Sequence, residues 1–218
     1  MASDPSKIVL YGEKHWDSPY VFTAFVALLE KGIPFEVRLL DLDAGDQRAP
    51  AYREASLTAR VPSIDHGGFV LSESTAIVEY LDEAFPSPGF PRLLPEGIRE
   101  RARARQIMAW IRSDLMALRE ERSTATMFFE PSTKPLGPAA RAAADKLFFL
   151  VDHAVPDGQT TLFGKFCIAD ADLGLTLHRL ILNGDPVPEK AQRYAAAQWS
   201  RQSVRDFVER ERPPRASP

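Results

Sequence analysis

Four prolines, Pro86, Pro88, Pro91 and Pro95, crowd together and divide the chain into two stretches that read differently. Proline lacks a backbone N–H and fixes φ, so neither a helix nor an inner strand runs through such a segment. Before it, short apolar strands alternate with helices. After it, no convincing strand remains. The pattern predicts an α/β unit over residues 1–86, a Pro-rich linker over 87–97 and an all-helical unit over 98–218.

Within the first stretch, Ile8–Tyr11 is a short apolar strand. Ser18–Lys31 carries Val21, Phe22, Phe25, Val26, Leu28 and Leu29 on one face, a helical spacing that Gly32 is placed to end. Phe35, Val37 and Leu39 alternate with Glu36 and Arg38, the period of a half-buried strand. This β-α-β start implies a right-handed crossover and a parallel pair. Residues 41–59 are polar and irregular, with a short helix expected around Tyr52. Val61–Ile64 and Phe69–Leu71 then flank Asp65-His66-Gly67-Gly68, a hairpin turn by composition. Ser74–Phe85 is helical in period, which completes a βαβ-ββα order.

Beyond the linker, the spacing predicts one long helix from Ile98 to about Met127, a loop over Glu130–Pro138 and a second helix over Pro138–His153. Asp170–Leu182 is apolar on nearly every face, as a central buried helix is. Glu189–Arg210 holds one or two more helices, and the Pro-rich end is expected to fray.

A 218-residue chain that is 44% hydrophobic and 26% charged has the composition of a folded globular protein. Its net charge of -3 argues against nucleic-acid binding through global charge. No apolar run approaches the roughly 20 residues that span a bilayer, and the polar start lacks a signal peptide's apolar stretch. One cysteine, Cys167, allows no internal disulfide, which fits a reducing cytoplasm. Four histidines and that cysteine form no clustered metal-ligand set.

Three segments carry possible chemistry. Ser18-Pro19 stands where a helix begins. Ser18 can simply cap it, a contribution of about 1 kcal/mol, or its hydroxyl can donate to an anion drawn by the helix N-terminus. A free thiol has a pKa of about 8.5. Lowering it by two units needs about 2.7 kcal/mol of preference for the thiolate, within reach of one charge-assisted hydrogen bond plus a helix terminus. Pro62, placed in a strand, suits an edge or a bulge. A cis bond there would turn the Val61 N–H and C=O outward for an extended peptide. Arg60 is either a solvated charge or a partner for a ligand carboxylate. In Ser72-Glu73-Ser74, the serine and nearby N–H groups can cap a helix or hold a carboxylate, while Glu73 meets an ammonium.

Taken in order, these segments resemble the cytosolic glutathione S-transferase family, of the serine type, over nearly the whole chain. The resemblance implies a thioredoxin-like first domain followed by a helical second one. It implies glutathione as co-substrate with no metal, Val61-Pro62 pairing with the cysteinyl backbone, Glu73 and Ser74 holding the γ-glutamyl end, and Arg60 meeting the glycyl carboxylate. Ser18 is implied as the thiol-activating residue, with His15, Tyr11 and Tyr20 as alternatives. The run Phe166-Cys167-Ile168-Ala169-Asp170 is similar to the family's helix-capping motif, though Cys167 stands where serine or threonine is usual. The activity implied is thiolate attack on an electrophile or reduction of an organic hydroperoxide. Relatives that work through mixed disulfides usually carry cysteine at the position of Ser18. A homodimer and a small hydrophobic second substrate are implied as well, and a glutathione-binding scaffold without turnover is the alternative.

Tyr20, Trp110 and Ser113 are candidates for the electrophile wall, although Trp110 and Ser113 can equally be core. Arg99, Arg101, Arg103, Arg105 and Arg112 form a solvated face or an electropositive rim. A Ser-His-Asp triad is improbable, because His15, Asp17 and Ser18 crowd together without a nucleophile elbow.

Overall fold

The computed structural model describes residues 7–215. They divide into two compact units. One runs to Leu93 and takes back the tail from Glu209; the other is Leu94–Val208.

The first unit is built on four strands: β1 (Ile8–Glu13), β2 (Phe35–Leu40), β3 (Ser63–His66) and β4 (Phe69–Ser72). Their order in the sheet is β2-β1-β3-β4. The pair β1–β2 is parallel, with Ile8 opposite Phe35 and Glu13 opposite Leu40. The β1–β3 and β3–β4 pairs are antiparallel, with Ser63 opposite both Tyr11 and Ser72. Helix α1 (Pro19–Lys31) crosses between β1 and β2, α2 (Pro50–Ser56) precedes β3, and α3 (Ser74–Ala84) follows β4. Val21, Phe22, Phe25, Val26 and Leu28 of α1 are buried, as are Ile77, Val78 and Leu81 of α3, which packs against it. Gly32 takes φ 66°, and the Gly32 and Ile33 N–H groups close the end of α1 on Leu29 and Leu28 carbonyls. Lys31 is buried there, its ammonium 2.7 Å from Asp82 and 2.8 Å from the Phe85 carbonyl. Asp82 also accepts the Leu93 N–H, which anchors the proline segment to α3.

The expected strand from Val61 begins instead at Ser63, because Pro62 has no N–H to give the ladder. Nor is β3 an edge strand: it pairs on both sides, and Pro62 lies just outside it.

The second unit is helical throughout its described residues. The long helix expected over 98–127 is three: α4 (Ile98–Ser113), α5 (Met116–Glu121) and α6 (Thr124–Phe128). Distant partners cause both breaks. The Asp114 carboxylate accepts from Trp110 Nε1 at 2.8 Å and from Lys146 at 2.9 Å, while Leu115 turns inward and is fully buried. Arg122 leaves helical geometry and buries its guanidinium against Asp185, at 2.6 and 2.8 Å, and the Lys134 carbonyl at 2.8 Å. Then come α7 (Pro138–Ala154), α8 (Ile168–Ile181), α9 (Glu189–Trp199) and α10 (Gln202–Val208). Helix α8 is buried from Ile168 to Leu180. Its charged residues are paired: Asp172 with Arg112 at 2.8 Å, and Arg179 with the Arg122 carbonyl at 2.7 Å. Gly174 lets α9 approach, since a Cβ there would meet Gln198 Cβ at 2.7 Å.

Candidate functional site

Sheet register brings the three candidate segments of the first unit to one place. Because β3 runs against β1 and β4, its first residue, Ser63, lies beside Tyr11, two residues from the end of β1, and beside Ser72, the last residue of β4. The loop after β1 leads to Ser18, the segment before β3 holds Arg60, Val61 and Pro62, and β4 leads directly into Glu73 and Ser74. All three therefore emerge at the same end of the sheet.

Ser18 is the N-cap of α1. Its Oγ accepts the Val21 N–H at 3.3 Å, and Pro19 occupies the first helical position. The capping role is thus real, yet it uses an oxygen lone pair and leaves the O–H able to donate. Tyr20 follows in the first turn, half-buried. Glu13, unmarked in the sequence reading, sits behind this helix start. It is only 4% exposed, and its Oε1 accepts the N–H groups of Asp17 at 2.8 Å and Ser18 at 3.0 Å. Burial, reinforced by the nearby Asp17 charge, raises the carboxyl above its usual range despite these donors. His15 is buried with Nδ1 3.3 Å from the Pro213 carbonyl and Nε2 3.1 Å from Asp43, so both ring nitrogens serve the loop. The Tyr11 hydroxyl meets Arg38 at 3.4 Å, and its ring packs edge-on against Tyr52.

The Val61–Pro62 bond is cis. Pro62 is buried, Val61 half-buried and Arg60 exposed. The Tyr52 hydroxyl, from α2, donates to the Arg60 carbonyl at 2.9 Å and meets Ser63 Oγ at 2.9 Å, so it fixes the main chain on both sides of Val61-Pro62. Ser72 Oγ donates to the Ser56 carbonyl, tying the end of β4 to the end of α2. Glu73 is exposed and Ser74 is buried as the first residue of α3.

Among the described residues, the non-glycine positions with positive φ are Trp16 (52°), Leu57 (55°), Ala59 (51°) and Glu73 (73°). This region is costly for any residue with a Cβ, and such strain gathers at functional sites. Glu73 belongs to one of the three converging segments, Ala59 adjoins Arg60, and Trp16 stands two residues before Ser18.

Residues 15–89 match the glutathione S-transferase N-terminal domain, and residues 97–211 match the glutathione S-transferase C-terminal domain. The chain belongs to the glutathione S-transferase family. A glutathione transferase homologue from Burkholderia GL BGR1, solved with bound glutathione, is 44% identical with a TM-score of 0.78, covering 93% of this chain and 97% of that one. A maleylacetoacetate isomerase from Dictyostelium discoideum is 35% identical over 177 residues, covering 76% of this chain and 73% of that protein. The human glutathione S-transferase theta-1 is 29% identical over 68% of this chain and 63% of its own. These matches establish the thioredoxin-like plus helical architecture and an enzyme of the transferase class, with glutathione as its co-substrate.

Two further residues of this transferase bear on the sequence reading. Cys167 is the N-cap of α8 and is buried, and burial pushes its thiol pKa up, away from reactivity. The cap rests on Asp170, whose carboxylate accepts from the Cys167 N–H at 2.9 Å, the Leu162 N–H at 2.8 Å and the Tyr194 hydroxyl at 2.8 Å. Trp110 and Ser113 lie in the second unit. Trp110 lines a groove of about 1060 Å³ between α4 and α7 with Ile107, Phe149 and Leu150, while Ser113 is exposed. Of the α4 arginines, Arg101 bonds the Pro95 and Glu96 carbonyls, Arg103 bonds Gln106, and Arg112 pairs with Asp172. Among the described residues no cluster of side chains is arranged to hold a metal ion, and no helix is long and apolar enough to cross a membrane.

Sequence reasoning missed Glu13, Tyr52 and the arginines of the tail. Tyr52 stood in view inside an irregular stretch, but only the strand register reveals what its hydroxyl reaches.

Proposed function

We propose that this protein binds glutathione at the β1–β3–β4 end of the sheet, ionises its thiol at Ser18 and delivers the thiolate to a small electrophile or an organic hydroperoxide. The observation that carries this reading is the convergence of Ser18, Arg60-Val61-Pro62 and Glu73-Ser74 on one sheet end, each with a strained residue in or near it. In this assignment the Val61 main chain pairs with the cysteinyl unit, Arg60 meets the glycyl carboxylate, and Glu73 with Ser74 holds the γ-glutamyl ammonium and carboxylate. The Ser18 O–H donates to sulfur while its oxygen keeps the Val21 cap. Attack on an aryl halide forms a C–S bond and expels halide, with the thiol proton passing to solvent. Attack on a hydroperoxide, with one proton taken from solvent, releases the alcohol and leaves a sulfenic acid, which condenses with a second glutathione to the disulfide and water. Tyr20, Trp110 and Ser113 remain the proposed electrophile contacts, and the working form is proposed to be a cytoplasmic homodimer.

A second reading, isomerisation of a cis-alkene acid, is favoured by the Dictyostelium maleylacetoacetate isomerase relative. It shares the first step, thiolate addition, and ends with elimination instead of transfer.

The test is turnover of glutathione with 1-chloro-2,4-dinitrobenzene, cumene hydroperoxide and a maleyl substrate. The reading expects turnover of at least one, reduced about tenfold or more by Ser18→Ala. Glutathione binding without turnover of any of them would instead describe a scaffold.

A further inference from the structure

We propose that the C-terminal tail, Arg210 to Arg215, positions Ser18 for thiol activation by clamping the loop that leads to it. Four contacts from the tail fall on three consecutive loop residues. The Pro213 carbonyl meets His15 Nδ1 at 3.3 Å, Arg212 Nε donates to the Trp16 carbonyl at 3.1 Å, and Arg215 pairs with the buried Asp17 carboxylate. The Arg210 guanidinium lies 4.1 Å from the centre of the Trp16 ring and 4.8 Å from that of Phe25. The stretch expected to fray is therefore a working part of the first unit.

Trp16 shows why such a clamp is needed. Its φ of 52° is unfavourable for a bulky residue and persists only where the surroundings overdetermine it. Its side chain is held between Arg210 and Phe25, its carbonyl by Arg212, and its N–H by the Glu13 carbonyl at 3.2 Å. From the opposite side, Glu13 Oε1 holds the N–H groups of Asp17 and Ser18. Among the described residues the buried Glu13 Oε2 meets no hydrogen-bond partner, and Oε1 takes both of these N–H groups. Tail and carboxylate together fix the main chain one residue before Ser18, and so fix where its hydroxyl points. A positioned donor matters because misplacement of a catalytic group by about 1 Å can cost about 100-fold.

The proposal rests on the assignment of Ser18 to the thiol, and the experiment separates the two. The full chain is titrated with reduced glutathione, and the pKa of the bound thiol is read from thiolate absorbance against pH. In Arg212→Ala/Arg215→Ala the expected result is a bound-thiol pKa about one unit higher, a tenfold loss of thiolate at lower pH, with the KM for glutathione within about twofold because the binding contacts lie elsewhere. Arg212→Lys/Arg215→Lys should recover part of the shift, and adding Ser18→Ala to the double variant should add little beyond Ser18→Ala alone. Arg215→Ala, altering one half-exposed side chain, serves if the double variant is poorly folded. If Ser18→Ala raises the thiol pKa and none of the tail variants does, the tail proposal alone is overturned. If Ser18→Ala itself leaves the pKa in place, the assignment of Ser18 fails and the tail proposal falls with it.

Discussion

Glu13 and Ser18 are bound through the main chain: a buried carboxylate at the end of β1 accepts the Ser18 N–H at 3.0 Å, while Ser18 Oγ accepts the Val21 N–H at 3.3 Å. One residue orients the helix start and the other closes it. Removing the acceptor should cost both order and activity. Glu13→Ala leaves two buried N–H groups unpaired, for a loss of about 1–3 kcal/mol, and kcat/KM for glutathione should fall several-fold. Glu13→Gln keeps an acceptor and should recover part of that activity. The carboxyl is raised in the folded protein, so its contribution is most favourable below its unfolded pKa and is lost as pH rises through the folded one. Unfolding curves should therefore be flatter for Glu13→Gln as pH rises from the ordinary carboxyl range through the raised folded value.

Glu73 should trade stability for binding. Its φ of 73° suits glycine, so Glu73→Gly is expected to leave the fold unchanged or more stable by up to about 1 kcal/mol. The same change removes the proposed ammonium partner and should raise the KM for glutathione at least tenfold, a loss of about 1.4 kcal/mol or more. Thermal melts and saturation kinetics on one preparation check both halves.

His178 should make the second unit sensitive to acid. It is buried, stacked on Trp199 with ring centres 3.8 Å apart, and bonded to the Gly174 carbonyl at 2.8 Å. Burial lowers its pKa to about 4, below the ordinary 6.5. The unfolded chain takes up the proton first as pH falls. The stability it contributes is thus complete above about 6.5 and is lost between there and about 4, on the order of 3 kcal/mol. Urea unfolding at neutral and acid pH should show a smaller loss in His178→Phe than in the parent.

The cap of α8 can be improved. Cys167 offers a weak acceptor, whereas serine offers a strong one, so Cys167→Ser should raise stability by about 0.5–1 kcal/mol. Asp170→Ala should do the reverse and more strongly, since it strands the Cys167 and Leu162 N–H groups and the Tyr194 hydroxyl in the core. Denaturant midpoints order the three proteins.

Much of this was legible in the residues because it is local. Ser18-Pro19, Gly32 and the apolar spacing of α1 fix a helix from within their own segment, and the hairpin around Gly67-Gly68 does the same for β3 and β4. What escaped depends on partners far along the chain. Helix α4 ends where Lys146 and Trp110 hold Asp114, and α5 ends where Asp185 draws in Arg122. Tyr52 matters only because the register sets Ser63 beside Tyr11. The tail read as a frayed, proline-rich end because its partners, His15, Trp16 and Asp17, lie about two hundred residues earlier. The strained residues gave no signal, since none of them is glycine.

Where the sulfur sits decides the role of Ser18, and a crystal structure of the full chain soaked with reduced glutathione locates it. The sulfur should lie within hydrogen-bond reach of Ser18 Oγ, with the cysteinyl backbone paired with Val61 and the γ-glutamyl end at Glu73 and Ser74. Sulfur beside Tyr11 or His15 instead, or glutathione bound away from this end of the sheet, would contradict it.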